Sequence, residues 1–390
     1  MLTLTLKKSE DRRIRTGHIW IFSNEIESVE GKPEPGSLAV VKSFAGQFVG
    51  IGYYNKASLI ACRILTRHQD SIDSAFFQRR VKAALALRQT FYPGETAYRL
   101  VFSEGDQLPG FVADRFGDCV SVQTSTAGAE QLLEPFLEAV QEVLSPRALV
   151  LRNDMPARAL EGLPSYSKIA SGELSGPVES VCDGVRYQVD LVSGQKTGFF
   201  FDQRENRQAG ARLCEGKRVL DAYCYTGSWA LHACRARAAS VTAVDSSASA
   251  IELARRNARL NAAADQIEFA TSDVPAFLDR ARETRQSYDV VFLDPPPFAR
   301  SKKDLKEALI AYERVNKKAL DLLPDGGYLV TSSCSFHVSA DDFLRCLARA
   351  AAPSGRTLRL LELRGQSKDH PALLAMPETR YLKCAVVQKV

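Results

Sequence analysis

Between residues 17 and 65, apolar and polar positions alternate in short runs: "GHIWIF", "SLAVVKS", "QFVGIGYYN" and "LIACRIL". Turn residues such as "GKPEPG" separate them. Period-two alternation with regular Gly/Pro punctuation predicts short strands and a small β-barrel. The period then changes. Phe77, Val81, Ala84, Leu85 and Arg88 fall at helical spacing and predict a helix over about 74–91. A second helix is expected at about 128–144, entered or bent at Pro135. Strand patterns at 98–124, around the turn signals "EGDQLPG" and "RFGD", and again at 147–152 and 181–193, make this middle section α+β.

From residue 195 the pattern becomes strand, helix, strand, helix. The strands read "KRVLDAY", "SVTAVD", "QIEFAT", "YDVVFLD" and "GGYLVTSS". Amphipathic helices lie between them, such as 304–323 with Ala308, Tyr312, Val315, Ala319 and Leu322 on one face. Such alternation predicts a doubly wound α/β fold, a mostly parallel sheet with helices on both faces. Two last strands, near 357–363 and 381–388, have no clear helix between them, so the final pair is expected to be antiparallel. The expected division is a barrel over 1–70, an α+β domain over 71–184 and the doubly wound domain over 185–390.

A doubly wound sheet binds its ligand beyond the carboxyl ends of its strands. At that edge the chain offers Asp221, Asp245, Asp273 shortly after its strand, Asp294 and Cys334 in order. The loop "VLDAYCYTGSWAL" (219–231) has one glycine, Gly227, with Tyr223, Cys224 and Tyr225 filling the space. A nicotinamide enzyme needs G-x-G-x-x-G here for close contact with a pyrophosphate. A nucleoside without phosphates fits better, which points to S-adenosylmethionine. Asp221 would face the methionine amino group, Asp245 the ribose hydroxyls and Asp273 the adenine amine. "SGQKTGFFFDQRENR" (193–207), with Lys196 and Phe199, could cap the cofactor pocket, or its phenylalanines could seal the sheet.

The stretch "LDPPPFARSKK" (293–303) follows the fourth strand. Its prolines stiffen the loop after Asp294, so that Pro295, Pro296 and Phe298 can hold a planar base while a polar group reads its edge. Lys302 and Lys303, with Lys306, are candidate phosphate contacts. "SSCS" (332–335) sets Cys334 at the end of the adjacent strand, where a thiolate could attack a pyrimidine.

Charge and cysteine usage narrow the picture. The 390 residues carry a net charge of +5. Residues 1–68 hold ten Lys/Arg and six Asp/Glu, a net +4, so the basic excess concentrates in the predicted barrel. A modest excess of this kind is weak support for a polyanionic partner. The nine cysteines form no CxxC pair and no Cys/His cluster, which argues against zinc and against a disulfide framework. The start "MLTLTLKKSEDRR" meets lysines too early for a secretory segment, and no apolar run nears about 18 residues. A cytoplasmic protein without a membrane partner is expected.

Taken together these motifs resemble the class I methyltransferases. They resemble one family closely: the 23S ribosomal RNA cytosine-carbon-5 methyltransferases with an N-terminal PUA domain. "GHIWIF…GQFVGIGYYN", "GQKTGFFFDQRENR", "YTGSWAL", D-P-P-x-F at 294–298, "SCS" and "DHPALL…PETRYLK" follow in that family's order. The resemblance implies a seven-stranded methyltransferase sheet, S-adenosylmethionine as cofactor and 23S rRNA as substrate, unassembled or partly assembled. It also implies Cys334 as nucleophile, and a homodimer is compatible with it. One departure stands out. Other RNA cytosine-carbon-5 methyltransferases carry a second cysteine after the strand-four Asp, where this chain has Pro295-Pro296. The alternatives from the residues are a guanine-nitrogen methyltransferase, which needs no thiol, a non-catalytic RNA-binding assembly factor and, more distantly, a nicotinamide dehydrogenase.

Overall fold

The computed structural model describes residues 1–192, 194, 198–299 and 301–390. Cα proximity groups them into two compact units. The first comprises Met1–Cys182, Val189–Phe201 and Lys368–Thr379; the second comprises Asp183–Gln188, Asp202–Ser367 and Arg380–Val390.

The first unit holds two sheets. In the six-stranded one the order is Trp20–Ile21, Cys62–Thr66, Phe48–Tyr54, Ser37–Lys42, Leu2–Leu6, Ile26–Glu30. Leu2–Leu6 runs parallel to Ser37–Lys42 and antiparallel to Ile26–Glu30. Its alternation buries Leu2, Leu4 and Leu6 and leaves Thr3 and Thr5 half-buried. "GHIWIF", by contrast, supplies only two strand residues.

The five-stranded sheet runs Tyr166–Gly172, Ala148–Asn153, Cys119–Thr124, Phe111–Phe116, Ala97–Phe102. The helix Ser74–Phe91 begins where the Asp73 carboxylate accepts from the Phe76 amide, and its Phe77 meets Phe111 and Phe136 at 5.5 and 5.8 Å between ring centroids. The expected single helix at 128–144 is two, Ala127–Gln131 and Leu133–Leu144, with the break just ahead of Pro135. The expected strand at 181–193 is likewise interrupted, since Asp183 and Gly184 both take positive φ (+54° and +71°) and turn the chain.

The segment around Asp369 is tied into this unit. Its carboxylate accepts from the Arg99 amide at 3.0 Å, and its carbonyl accepts from the buried Arg88 guanidinium at 2.7 Å. Arg88 also forms a two-pronged pair with Asp106.

In the second unit the elements are numbered on their own. The strands are β1 (Arg218–Ala222), β2 (Ser240–Asp245), β3 (Ile267–Thr271), β4 (Val290–Leu293), β5 (Tyr328–Ser333), β6 (Leu358–Arg364) and β7 (Lys383–Lys389). The helices are α1 (Arg204–Ala211), α2 (Ser228–Arg235), α3 (Ala248–Leu260), α4 (Val274–Glu283), α5 (Leu305–Asp321) and α6 (Ala340–Ala351). The seven strands pair in the order β3-β2-β1-β4-β5-β7-β6. The first five are mutually parallel, and β7 is antiparallel to both β5 and β6. The α/β expectation and the antiparallel final pair both hold. Order reverses between β1 and β4, so the ends of β1, β2 and β4 converge on one crevice. The core beneath that crevice includes Leu220, Val291, Tyr312, Val315, Leu329 and Phe343, all buried. Among the described residues no helix is long and apolar enough to cross a membrane.

Candidate active site

The loop from β1 to α2 bends sharply because three of its residues take left-handed backbone conformations: Tyr223 (φ +65°), Tyr225 (φ +46°) and Gly227 (φ +79°). A tyrosine held there costs about 1–3 kcal/mol, the kind of strain that collects at ligand-binding loops. Gly227 is needed on two counts. A side chain would be strained at that φ, and its Cβ would lie 3.2 Å from Ala254 on α3.

The loop is fastened to the carboxylate at the end of β2. Asp245 accepts from the Tyr225 amide at 3.0 Å with one oxygen and from the Ser247 amide at 2.9 Å with the other. Each oxygen keeps a lone pair for a hydroxyl. Asp221, fully buried on β1, accepts from the Ala230 amide at 2.9 Å through Oδ2, while Oδ1 has no partner. Burial pushes its pKa up to about 8, and the charges of Asp294 and Asp245 push the same way. Three carboxylates therefore crowd the crevice beside an orphaned acceptor. That arrangement suits a ligand carrying an ammonium and ribose hydroxyls, as S-adenosylmethionine does. Asp273 caps α4, accepting from the Ala276 amide at 3.0 Å, and is otherwise exposed.

Asp294 lies just past β4. Gln203 donates to one of its oxygens at 2.9 Å and the Trp229 indole N–H to the other at 3.2 Å. Burial raises its pKa to about 6, and Asp202 adds to the rise, against the opposing pull of those two donors. Trp229 keeps its position by lying on Phe292 of β4, with 4.8 Å between ring centroids. Gly210 of α1 permits this, because a Cβ there would come within 3.1 Å of the indole and 2.9 Å of Phe292.

The prolines after Asp294 differ in exposure: Pro295 is buried and Pro296 exposed. Phe298 is half-buried, its ring 4.7 Å from that of Tyr312 on α5. The loop is then sewn to the one after β5, since the Ala299 amide donates to Ser335 Oγ at 3.2 Å and the Tyr312 hydroxyl meets the same oxygen at 2.9 Å. Cys334, half-buried, sits inside this stitched segment. Lys302 and Lys303 form an exposed single turn before α5.

The crevice thus gathers Asp221, Tyr225, Gly227, Asp245 and Asp294. Cys334 lies next to Asp294's strand, and Asp273 lies past the neighbouring β3. Phe199 belongs to the first unit, buried 5.0 Å from Phe201. Lys196 lies outside the described residues. Sequence reasoning missed Gln203 and Trp229, the two donors to Asp294. Both stand inside stretches already singled out, but a Gln or Trp on a helix gives no sign of the carboxylate it will reach.

Comparison with known proteins adds three findings. A model of PUA-like domains matches residues 4–67, and a model of S-adenosylmethionine-dependent methyltransferases matches residues 149–373. The chain is 37% identical over 392 residues to the ribosomal RNA large subunit methyltransferase I of Shewanella amazonensis, covering 99% of each. Its fold matches a SAM-dependent methyltransferase from Streptococcus mutans with a TM-score of 0.84 at 21% identity, and a methyltransferase solved with SAH with a TM-score of 0.86 at 22% identity. Both structural matches cover 100% of each chain.

Proposed function

Because this chain belongs to the S-adenosylmethionine-dependent methyltransferase family and carries a PUA-like domain, we propose that it methylates carbon 5 of a cytosine in large-subunit ribosomal RNA. The observation that carries the reading is the pairing of β4 with β5, Leu293 opposite Thr331, which puts Asp294 and Cys334 at the ends of neighbouring parallel strands. A carboxyl and a thiol at one edge suit pyrimidine chemistry. A guanine-nitrogen transfer has no use for the thiol.

S-adenosylmethionine supplies the methyl group as an electrophilic sulfonium. Asp221 and Asp245 would hold its ammonium and ribose. Carbon 5 of cytosine is a poor nucleophile, and addition of the Cys334 thiolate to carbon 6 gives it enamine character. Asp294, with its pKa raised to about 6, can keep a proton against ring nitrogen 3 as charge develops there. Gln203 and Trp229 fix the direction in which that carboxyl points. After transfer, the carbon 5 proton leaves and the thiolate is expelled. The target base must be unstacked to be reached, so single-stranded or not yet folded rRNA is the fitting substrate. The PUA-like domain, where the basic excess lies, would add backbone affinity.

The deciding experiment is RNA carrying 5-fluorocytidine. Fluorine at carbon 5 blocks proton loss, so a covalent RNA–protein complex through Cys334 should accumulate, and Cys334→Ala should lose both the complex and methylation. Retained methylation in Cys334→Ala would instead support the guanine reading.

A further inference from the structure

We propose that Lys383 is the positioning residue for the nucleophile: its ammonium faces the Cys334 segment and holds the cysteine as a thiolate. This rests on the cytosine reading above and deepens it. Lys383 opens β7 and pairs with Ser333, the residue before Cys334. Its side chain is buried, and its Nζ donates to the carbonyl of Ser335 at 2.6 Å and to that of Tyr381 at 2.8 Å. One of these acceptors is the residue directly after Cys334.

Both partners are neutral carbonyls, so the bonds orient the ammonium without neutralising it. A buried cation in that position is costly unless an anion faces it. The thiolate of Cys334 is placed to be that anion. Burial pulls the lysine down to about 8, and the charge of Cys334 opposes the fall. The same attraction, seen from the sulfur, favours the thiolate. Among the described residues, other titratable groups around the segment include Tyr312 on α5, whose hydroxyl burial holds neutral and which also feels the cysteine's charge, Asp294 past β4, His337 three residues after Cys334, and Cys384, opposite Ser332 on β7.

The S–H bond breaks and its proton leaves to solvent, with the electron pair kept on sulfur opposite the ammonium. That pair forms the bond to carbon 6, and the ring's 5,6 π pair at carbon 5 would take the methyl as the methyl–sulfonium bond breaks, its pair staying with the cofactor's sulfur, which leaves as the neutral thioether. When the carbon 5 proton departs to solvent, the C–H pair restores the double bond and the bond between carbon 6 and the cysteine sulfur breaks. Its pair returns to sulfur, again facing Lys383.

The test is iodoacetamide alkylation of the full-length protein without RNA, followed at Cys334 by mass spectrometry across pH. Burial pushes Cys62, Cys214, Cys234 and Cys384 to about 12, which keeps them slow. Wild-type Cys334 should titrate below the value of about 8.5 for a free cysteine. Lys383→Met should slow its alkylation about tenfold near neutral pH and move the profile to higher pH. Lys383→Arg keeps the charge and should restore the profile, which a purely structural role would not require. A Lys383→Met profile identical to wild type overturns the proposal. Should that variant lose S-adenosylmethionine binding, and with it the fold, a wild-type midpoint at or above about 8.5 overturns it equally. Failure of the cytosine reading shows separately, as methylation retained by Cys334→Ala and no trapping by 5-fluorocytidine.

Discussion

The indole N–H of Trp229 donates to Oδ2 of Asp294 across 3.2 Å, so the helix that follows the cofactor loop also steers the carboxyl that would meet the base. In the proposed reading, cofactor site and base site would therefore share one rigid element, seated on Phe292. Alignment of methyl and carbon 5 depends on such shared supports, because small misplacements of reacting groups are expensive.

Trp229→Phe should separate these roles. The indole bond favours the charged carboxylate, so its loss lifts the Asp294 pKa above about 6. If the protonated form is the one that works, the fall in rate with rising pH moves to higher pH. The lost hydrogen bond to a charged group should lower the single-turnover rate roughly tenfold. Single-turnover methylation measured across pH checks both, and an unmoved profile would mean the indole does not act on the working carboxyl.

Cofactor binding should release a proton. In the free protein Asp221, with its pKa near 8, is mostly protonated at neutral pH. A bound ammonium favours the carboxylate, so binding expels the proton, and affinity rises with pH until about 8. Calorimetry in two buffers of different ionisation enthalpy should detect this release. Asp221→Asn should abolish it and flatten the pH dependence of the dissociation constant.

Lys302 and Lys303 stand exposed beside the base loop. If each meets a phosphate, Lys302→Glu and Lys303→Glu should each reduce the salt dependence of RNA binding by about 0.7 in log–log slope. Affinity for S-adenosylmethionine should stay as it is. Filter binding over a salt series gives the slope, and parallel lines for variant and wild type would remove these lysines from the RNA path.

Much of this was legible in the sequence because parallel strands deliver their C-terminal residues to one edge by topology alone. Asp221, Asp245, Asp294 and Cys334 could be aligned without knowing any side-chain position. Ser74–Phe91 was legible for a similar reason, its apolar spacing being purely local. What could not be read depends on long-range pairing. Lys383 meets the Cys334 segment only because β7 slots in antiparallel beside β5, and strand order is not written in either strand. Trp229 carried no expected role, and Phe298 was expected to hold a planar base. The first proves to be a donor to Asp294, and the second lies against Tyr312. Leu2–Leu6 carries a plain alternating pattern, but Lys7 and Lys8 follow it at once and leave the run short.

Three consecutive prolines follow Asp294, and none can donate a backbone hydrogen bond. The course of that segment is thus set by ring geometry more than by bonds that water could compete for. Ordering an ordinary residue costs about 1–2 kcal/mol in backbone entropy, and proline has less freedom to lose. In the proposed reading, an arriving RNA would then meet a surface already in its working shape. The pace of encounter should be governed by how often the target nucleotide swings free of its neighbours, with little waiting on the protein's side.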